Sequence, residues 1–178
     1  MAALAARGFR ALAPDLRGYG DSSAPADPAA YTIFHIVGDV VALLDHLRLT
    51  KVFVVGHDWG AQVAWHLCLF RPDRVRAVVA LGVPYFGRNP VSMTEVFAAL
   101  GDGFYITQFQ FIAGDKDIGV RSFGIEQYIK SGAFKAIVPD LEVTIIEGHH
   151  FLQQEQAERV NSEIISYLIN FTSEDASA

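Results

Sequence analysis

The chain has 178 residues, of which 51% are hydrophobic and 19% charged, and a formal charge of −6. That length suits a single domain with one sizeable core. The acidic balance argues against a nucleic-acid or anionic-membrane surface, which would need clustered Lys and Arg. No apolar run reaches the length of a membrane span. The lone cysteine, Cys68, excludes an internal disulfide. The expectation is a soluble, cytoplasmic protein with Cys68 packed in its core beside Ala61, Ala64 and Trp65.

In chain order, residues 2–7 read as the tail of a helix stopped by Gly8 in the C′ position. The opening alanines soon meet Arg7 and Arg10, so they lack the apolar core of a signal peptide. Phe9 to Ala13 reads as a short buried strand ending at Pro14-Asp15. The loop from Leu16 to Ser22 contains Gly18-Tyr19-Gly20, but Ser23 and Pro25 follow. It opens a loop rather than a helix, which argues against a dinucleotide-binding turn. Tyr31 to Leu47 is the clearest helix, because Ile33, Ile36, Val37, Val40, Val41, Leu44 and Leu47 keep a 3.6-residue period.

Val52 to Val55 reads as a strand running straight into Gly56-His57-Asp58-Trp59-Gly60, and a helix-patterned segment, 61–70, follows at once. This is the strand-turn-helix context in which a sharp turn lifts one reactive side chain above a sheet. Asp58 holds the reactive position, where a helix N-terminus favours an ionised carboxylate. The plainer reading of Asp58 is a helix cap. Arg71-Pro72 ends the helix, and Val75 to Val83 reads as a buried strand stopped by Pro84. Residues 86–103 are expected to form a polar loop with a short helix at 92–100. Then come a strand at 109–113, a helix at 124–131, a strand at 142–146 and a final helix at 154–169. Alternating β and α segments imply a parallel sheet with helices on its faces.

Three side chains fall after strands in a telling order: Asp58, then Asp117, then His150. Groups at the C-terminal ends of parallel strands meet at one edge of the sheet, where such sheets bind ligands. Charge suggests the roles. Asp58 attacks carbon and forms an ester, His150 activates the water that hydrolyses it, and Asp117 orients the imidazole. The plainer reading makes His150 a surface residue beside His149 and Asp117 a turn residue. Adjacent histidines do not make a metal pair, so neither metal nor cofactor is expected.

The strings Asp15-Leu16-Arg17-Gly18-Tyr19-Gly20-Asp21-Ser22, Gly56-His57-Asp58-Trp59-Gly60-Ala61 and Arg71-Pro72-Asp73-Arg74-Val75 resemble those of the soluble, plant-type epoxide hydrolases. So do Gly114-Asp115-Lys116-Asp117 and Glu147-Gly148-His149-His150-Phe151. The resemblance implies an α/β-hydrolase fold and conversion of an epoxide and water to a vicinal diol. It makes Trp59 N–H part of the oxyanion hole and Tyr105 the acid that protonates the opening epoxide oxygen. A dehalogenase of the same fold is the neighbouring alternative.

The family's His-Gly-Phe-Pro segment has no counterpart here, and the interval from Asp58 to Asp117 is too short for the family's helical cap. The expected architecture is therefore a single, partial α/β-hydrolase domain over 1–171. A cap remnant falls near 86–108, and 172–178 form a disordered tail. A catalytically inactive shortened form is the alternative of a different class. Expected partners are a small epoxide and water, with no nucleic acid or membrane, in a monomer or homodimer.

Overall fold

A computed structural model describes residues 1–85, 109–122, 124–138 and 140–172. Its centre is a four-stranded parallel sheet in the order β1 (Val52–His57), β2 (Val75–Leu81), β3 (Phe109–Gly114) and β4 (Leu141–Ile146). Parallel neighbours need crossover connections, and helix α3 (Trp59–Phe70) supplies the one from β1 to β2. Strands buried on both faces read as near-continuous apolar runs. β2 and β3 do so, with Val75, Val78, Val79, Ala80, Phe111 and Ile112 wholly buried.

Alternation along the strands divides the core in two. Val78, Ala80, Phe109 and Phe111 face one layer, in which α2 (Ile33–His46) and α3 pack with the buried Phe134. Ala77, Val79, Leu81 and Ile112 face the other, built on Leu152, Val160, Ile164 and Leu168 of the C-terminal helices. Cys68 is buried in the first layer with Ala61, Ala64 and Trp65, as its helical spacing predicts, and burial pushes its thiol pKa well up. Desolvation penalises the thiolate, so Cys68 is a packing residue.

Several boundaries shift for local reasons. Thr32 caps α2 by accepting from His35 N–H, so the helix begins at Ile33 and Tyr31 closes a preceding 3-10 turn. The first helix, α1, spans only Ala2–Ala5, and Gly8 follows at φ +87° as its spacing predicts. Two short helices flank the expected one: α4 (Ile118–Arg121), α5 (Ile125–Lys130) and α6 (Ala133–Ile137) run between β3 and β4. The final helix breaks at Gln156, whose ψ of 44° lies outside helical space, giving α7 (Leu152–Glu155) and α8 (Ala157–Ile169).

Phe9 to Ala13 is not a strand. The segment has no assigned secondary structure, and β1 pairs only with β2 among the described residues. Without a neighbouring ladder, an apolar run gains no strand hydrogen bonds, and propensity alone does not compensate. Phe9 instead packs edge-on against Phe53, at 5.9 Å between ring centroids. The expected helix at 92–100 and the cap remnant at 86–108 lie outside the described residues.

Candidate active site

The β1 strand delivers Asp58 into a turn that the chain can barely make. A Cβ on Gly56 would lie 2.3 Å from Gly60 O, so only glycine lets strand and helix approach this closely. Asp58 itself sits at φ 53° and ψ −118°, a conformation that costs a non-glycine residue about 1–3 kcal/mol. Its N–H donates to Leu81 O at 3.1 Å, and its carbonyl accepts from Ala61 N–H at 3.0 Å. Neighbouring strand and helix thus impose the strain from both sides.

Asp58 occupies the N-cap position of α3, but its carboxylate makes no capping hydrogen bond to the helix. It stands instead with Oδ1 3.4 Å from His150 Nε2, on a side chain that is 42% exposed. A carboxylate kept off the helix and open on one side is placed to meet a ligand.

Asp117 follows β3 and is completely buried. Its Oδ1 accepts from Gly119 N–H at 2.8 Å, and its Oδ2 accepts from His150 Nδ1–H at 3.0 Å. An ionised carboxylate only accepts, so this contact fixes the proton of a neutral His150 on Nδ1 and leaves Nε2 with its lone pair toward Asp58. A buried charge needs such partners, and Asp117 has two. Gly82, at φ +76°, lets the two groups meet beneath it, since a Cβ there would lie 3.3 Å from the His150 ring.

The loop bearing His150 is held along its main chain. Gly148 N–H donates to Asp115 Oδ1 at 3.0 Å, and His149 N–H donates to Glu155 Oε2 at 2.9 Å. The His149 N–H, and then its ring, hold the Glu155 carboxyl below the ordinary carboxylate range. The His149 ring is 68% exposed and bound to Glu155, whereas His150 turns inward. The adjacent histidines therefore diverge, and no cluster of metal-binding side chains forms among the described residues.

The family model described as alpha/beta hydrolase fold matches residues 1–116. Epoxide hydrolase 1 of Siraitia grosvenorii is 33% identical, with 94% of this chain and 85% of the relative covered. The chain belongs to the alpha/beta hydrolase family, on its epoxide hydrolase branch. That alignment runs over 268 positions, more than this chain's 178 residues, so the relative carries segments with no counterpart here. Epoxide hydrolase 3 of the same plant is 51% identical over 72% of this chain, but the match spans only 41% of the relative. Against Epoxide hydrolase 2 the match spans 34% of the relative, so the chain corresponds to well under two thirds of both.

Solved structures agree. The crystal structure of an epoxide hydrolase from Vigna radiata superposes with a TM-score of 0.83 at 33% identity, covering 96% of this chain and 85% of that one. Potato (Solanum tuberosum) epoxide hydrolase I gives 0.82 at 31% identity, covering 96% of this chain and 87% of its own.

On this hydrolase frame, a cavity of about 500 Å³ opens beside Asp58. Its walls include Leu16, Tyr19, Tyr31, Ile33 and Val63, with Trp59 at the rim. Arg17 also lines it, but its guanidinium is spent on Asp39, to which Nε and an Nη each donate at 2.6 Å, and on Ala30 O. Trp59 is 74% exposed, and its N–H belongs to the first turn of α3, which has no acceptor within the helix. The structure brings Asp58, Trp59, Asp117 and His150 together; Tyr105 lies outside the described residues.

Sequence reasoning passed over four supporting groups: His57, Gly82, Gly119 and Glu155. Only His57 carried a signal, as the residue before Asp58 in the elbow string.

Proposed function

We propose that the chain is a hydrolase of epoxides acting through an ester on Asp58. The observation that carries this reading is the placement of the Asp58 carboxylate, uncapped and beside His150 Nε2, with Asp117 behind the imidazole. An Asp58 oxygen attacks a ring carbon of the epoxide, forming a C–O bond as the strained C–O bond breaks. The departing oxygen takes up a proton, and Tyr105 is our assignment for its donor. Water then attacks the ester carbonyl carbon while His150 Nε2 removes its proton, and the resulting oxyanion is met by Trp59 N–H. Collapse releases the vicinal diol as the imidazolium returns its proton to the leaving oxygen; the Asp58 carboxyl so formed loses its remaining proton, which restores both its carboxylate and the Tyr105 phenol. Asp117 stabilises the imidazolium throughout.

The cavity beside Asp58 is walled mainly by apolar and aromatic groups, which suits an uncharged epoxide. No step asks for a metal or an organic cofactor; the epoxide and water are the reactants. No helix among the described residues is long and apolar enough to cross a membrane. We place the protein in the cytoplasm as a monomer or homodimer. The domain reading is one hydrolase unit over 1–171.

The test is diol formation from an aromatic epoxide. We expect turnover by the wild type and a loss of at least about 10⁴-fold in Asp58→Ala, because removing a nucleophile removes the covalent route. Equal rates in both proteins, above a no-protein control, would show that Asp58 is not the nucleophile. A cooperatively folded wild type that produces no diol would favour an inactive form.

A further inference from the structure

The main chain of His150 is held by a ring from the far side of the site, and that ring belongs to the residue before Asp58. His57 ends β1, and its Nε2 lies 2.9 Å from the carbonyl oxygen of His150. A carbonyl can only accept, so His57 Nε2 carries the proton and donates. The same ring packs 4.6 Å from the His150 ring and 5.4 Å from the Phe151 ring, centroid to centroid. Other main-chain holds on this loop act before His150, from Asp115 and Lys116 N–H at Gly148, Glu155 at His149 and Gln156 at Glu147, while Asp117 holds the His150 ring through Nδ1. Among the described residues, His57 alone hydrogen-bonds the His150 carbonyl.

We propose that His57 is a positioning residue for the hydrolytic half of the reaction. Its N–H and ring fix where His150 Nε2 stands relative to Asp58. The elbow thereby sets the nucleophile and the base from two consecutive residues, which ties their separation to one rigid turn. This inference rests on the Asp58 ester reading above. His150 acts on water after the ester has formed, so the loss of His57 falls on ester hydrolysis more heavily than on ester formation.

Two variants separate the donor from the bulk. His57→Phe keeps a ring against His150 and removes the N–H, whereas His57→Gln restores a donor of similar reach. Rapid-quench intact mass with an aromatic epoxide reads the ester on Asp58 as it forms and decays. In His57→Phe the ester accumulates and its hydrolysis slows about tenfold, the scale of one lost hydrogen bond, while formation slows much less. His57→Gln recovers most of the hydrolysis rate. Decay at the wild-type rate in His57→Phe, equal slowing of both steps, or no recovery in His57→Gln would overturn the proposal.

A second readout needs no substrate. Long-range proton–nitrogen NMR of the histidine rings should show the His57 proton on Nε2 in the wild type. In His57→Phe the His150 ring signals should shift and broaden while other resonances keep their dispersion. Unchanged His150 signals would refute the positioning role. Should the wild type form no ester, the epoxide hydrolase reading fails, and these spectra still decide whether His57 holds His150.

Discussion

Residues 9–13 and 52–57 carry the same kind of sequence, a short apolar run ended by turn residues, yet only the second is a strand. Val52–His57 finds a six-residue parallel register with Val75–Leu81 and is covered by α3. Phe9 to Ala13 finds no ladder among the described residues, is tethered through Phe9 to Phe53, and leaves Leu12 49% exposed. Strand character belongs to a pair of segments, and a single run of residues can only make itself available. The loops that follow differ in the same way. The Asp58 turn is fixed by strand and helix from both sides. The 15–22 loop is held by side chains instead, through Asp21 N–H on Asp15 Oδ2, Ser22 Oγ on Asp15 O, and Arg17 on Asp39 and Ala30 O.

The contrast can be broken from the rigid side first. Gly114, at the end of β3, faces the His150 loop so closely that a Cβ would lie 2.3 Å from Gly148 O and 2.5 Å from His149 O. Backbone cannot yield as a side-chain tip can. Gly114→Ala is therefore expected to cost about 3 kcal/mol or more in urea unfolding and to displace His150 in any population that still folds. An effect below about 1 kcal/mol would mean that the loop is looser than this packing implies.

A smaller effect is expected where the N-terminal loop is anchored. Arg17 holds the Asp39 carboxyl below the ordinary carboxylate range, chiefly through their hydrogen bonds. A carboxylate whose folded-state pKa is depressed adds stability above its unfolded value, near 3.9, and loses it as pH falls through the lower folded value. Asp39→Asn should therefore be slightly less stable than the wild type at neutral pH, and the gap should close at the acid end of that window. The size is modest because Asp39 is 43% exposed. Thermal melts across acidic pH measure it, and a gap that persists unchanged at the lowest pH would reject the ion pair as its cause.

The smallest change is expected in residues 9–13. Leu12→Ser should alter unfolding free energy by less than about 0.5 kcal/mol, as befits a half-exposed side chain outside any ladder. A loss of several times that would mean that the segment is buried in solution as the sequence pattern suggests, and would erase the difference from 52–57.

Much of the candidate site was legible in the sequence because its geometry follows from chain order. Asp58, Asp117 and His150 each follow a strand, and parallel strands bring their C-terminal ends to one edge. The helix at 33–46 was legible for a similar reason, since the 3.6-residue period that marks it also buries Val37 and Leu44. His57, Gly82, Gly119 and Glu155 carried little such information. Their roles consist of contacts between distant segments, such as His57 Nε2 with His150 O, and these exist only once the sheet has assembled. The misread strand at 9–13 has the same origin, since its apolar pattern states a preference and the missing partner decides the outcome.

The central claim is that Asp58 attacks the substrate and water attacks the resulting ester. A single turnover of excess protein on an aromatic epoxide in heavy-oxygen water tests it directly, with mass analysis of both the diol and the peptide bearing Asp58. In this mechanism the oxygen entering the diol comes from the Asp58 carboxylate, and the water oxygen remains on Asp58. The account predicts unlabelled diol and a labelled Asp58 peptide. Labelled diol with an unlabelled peptide would mean that water attacks the epoxide directly, and would contradict it.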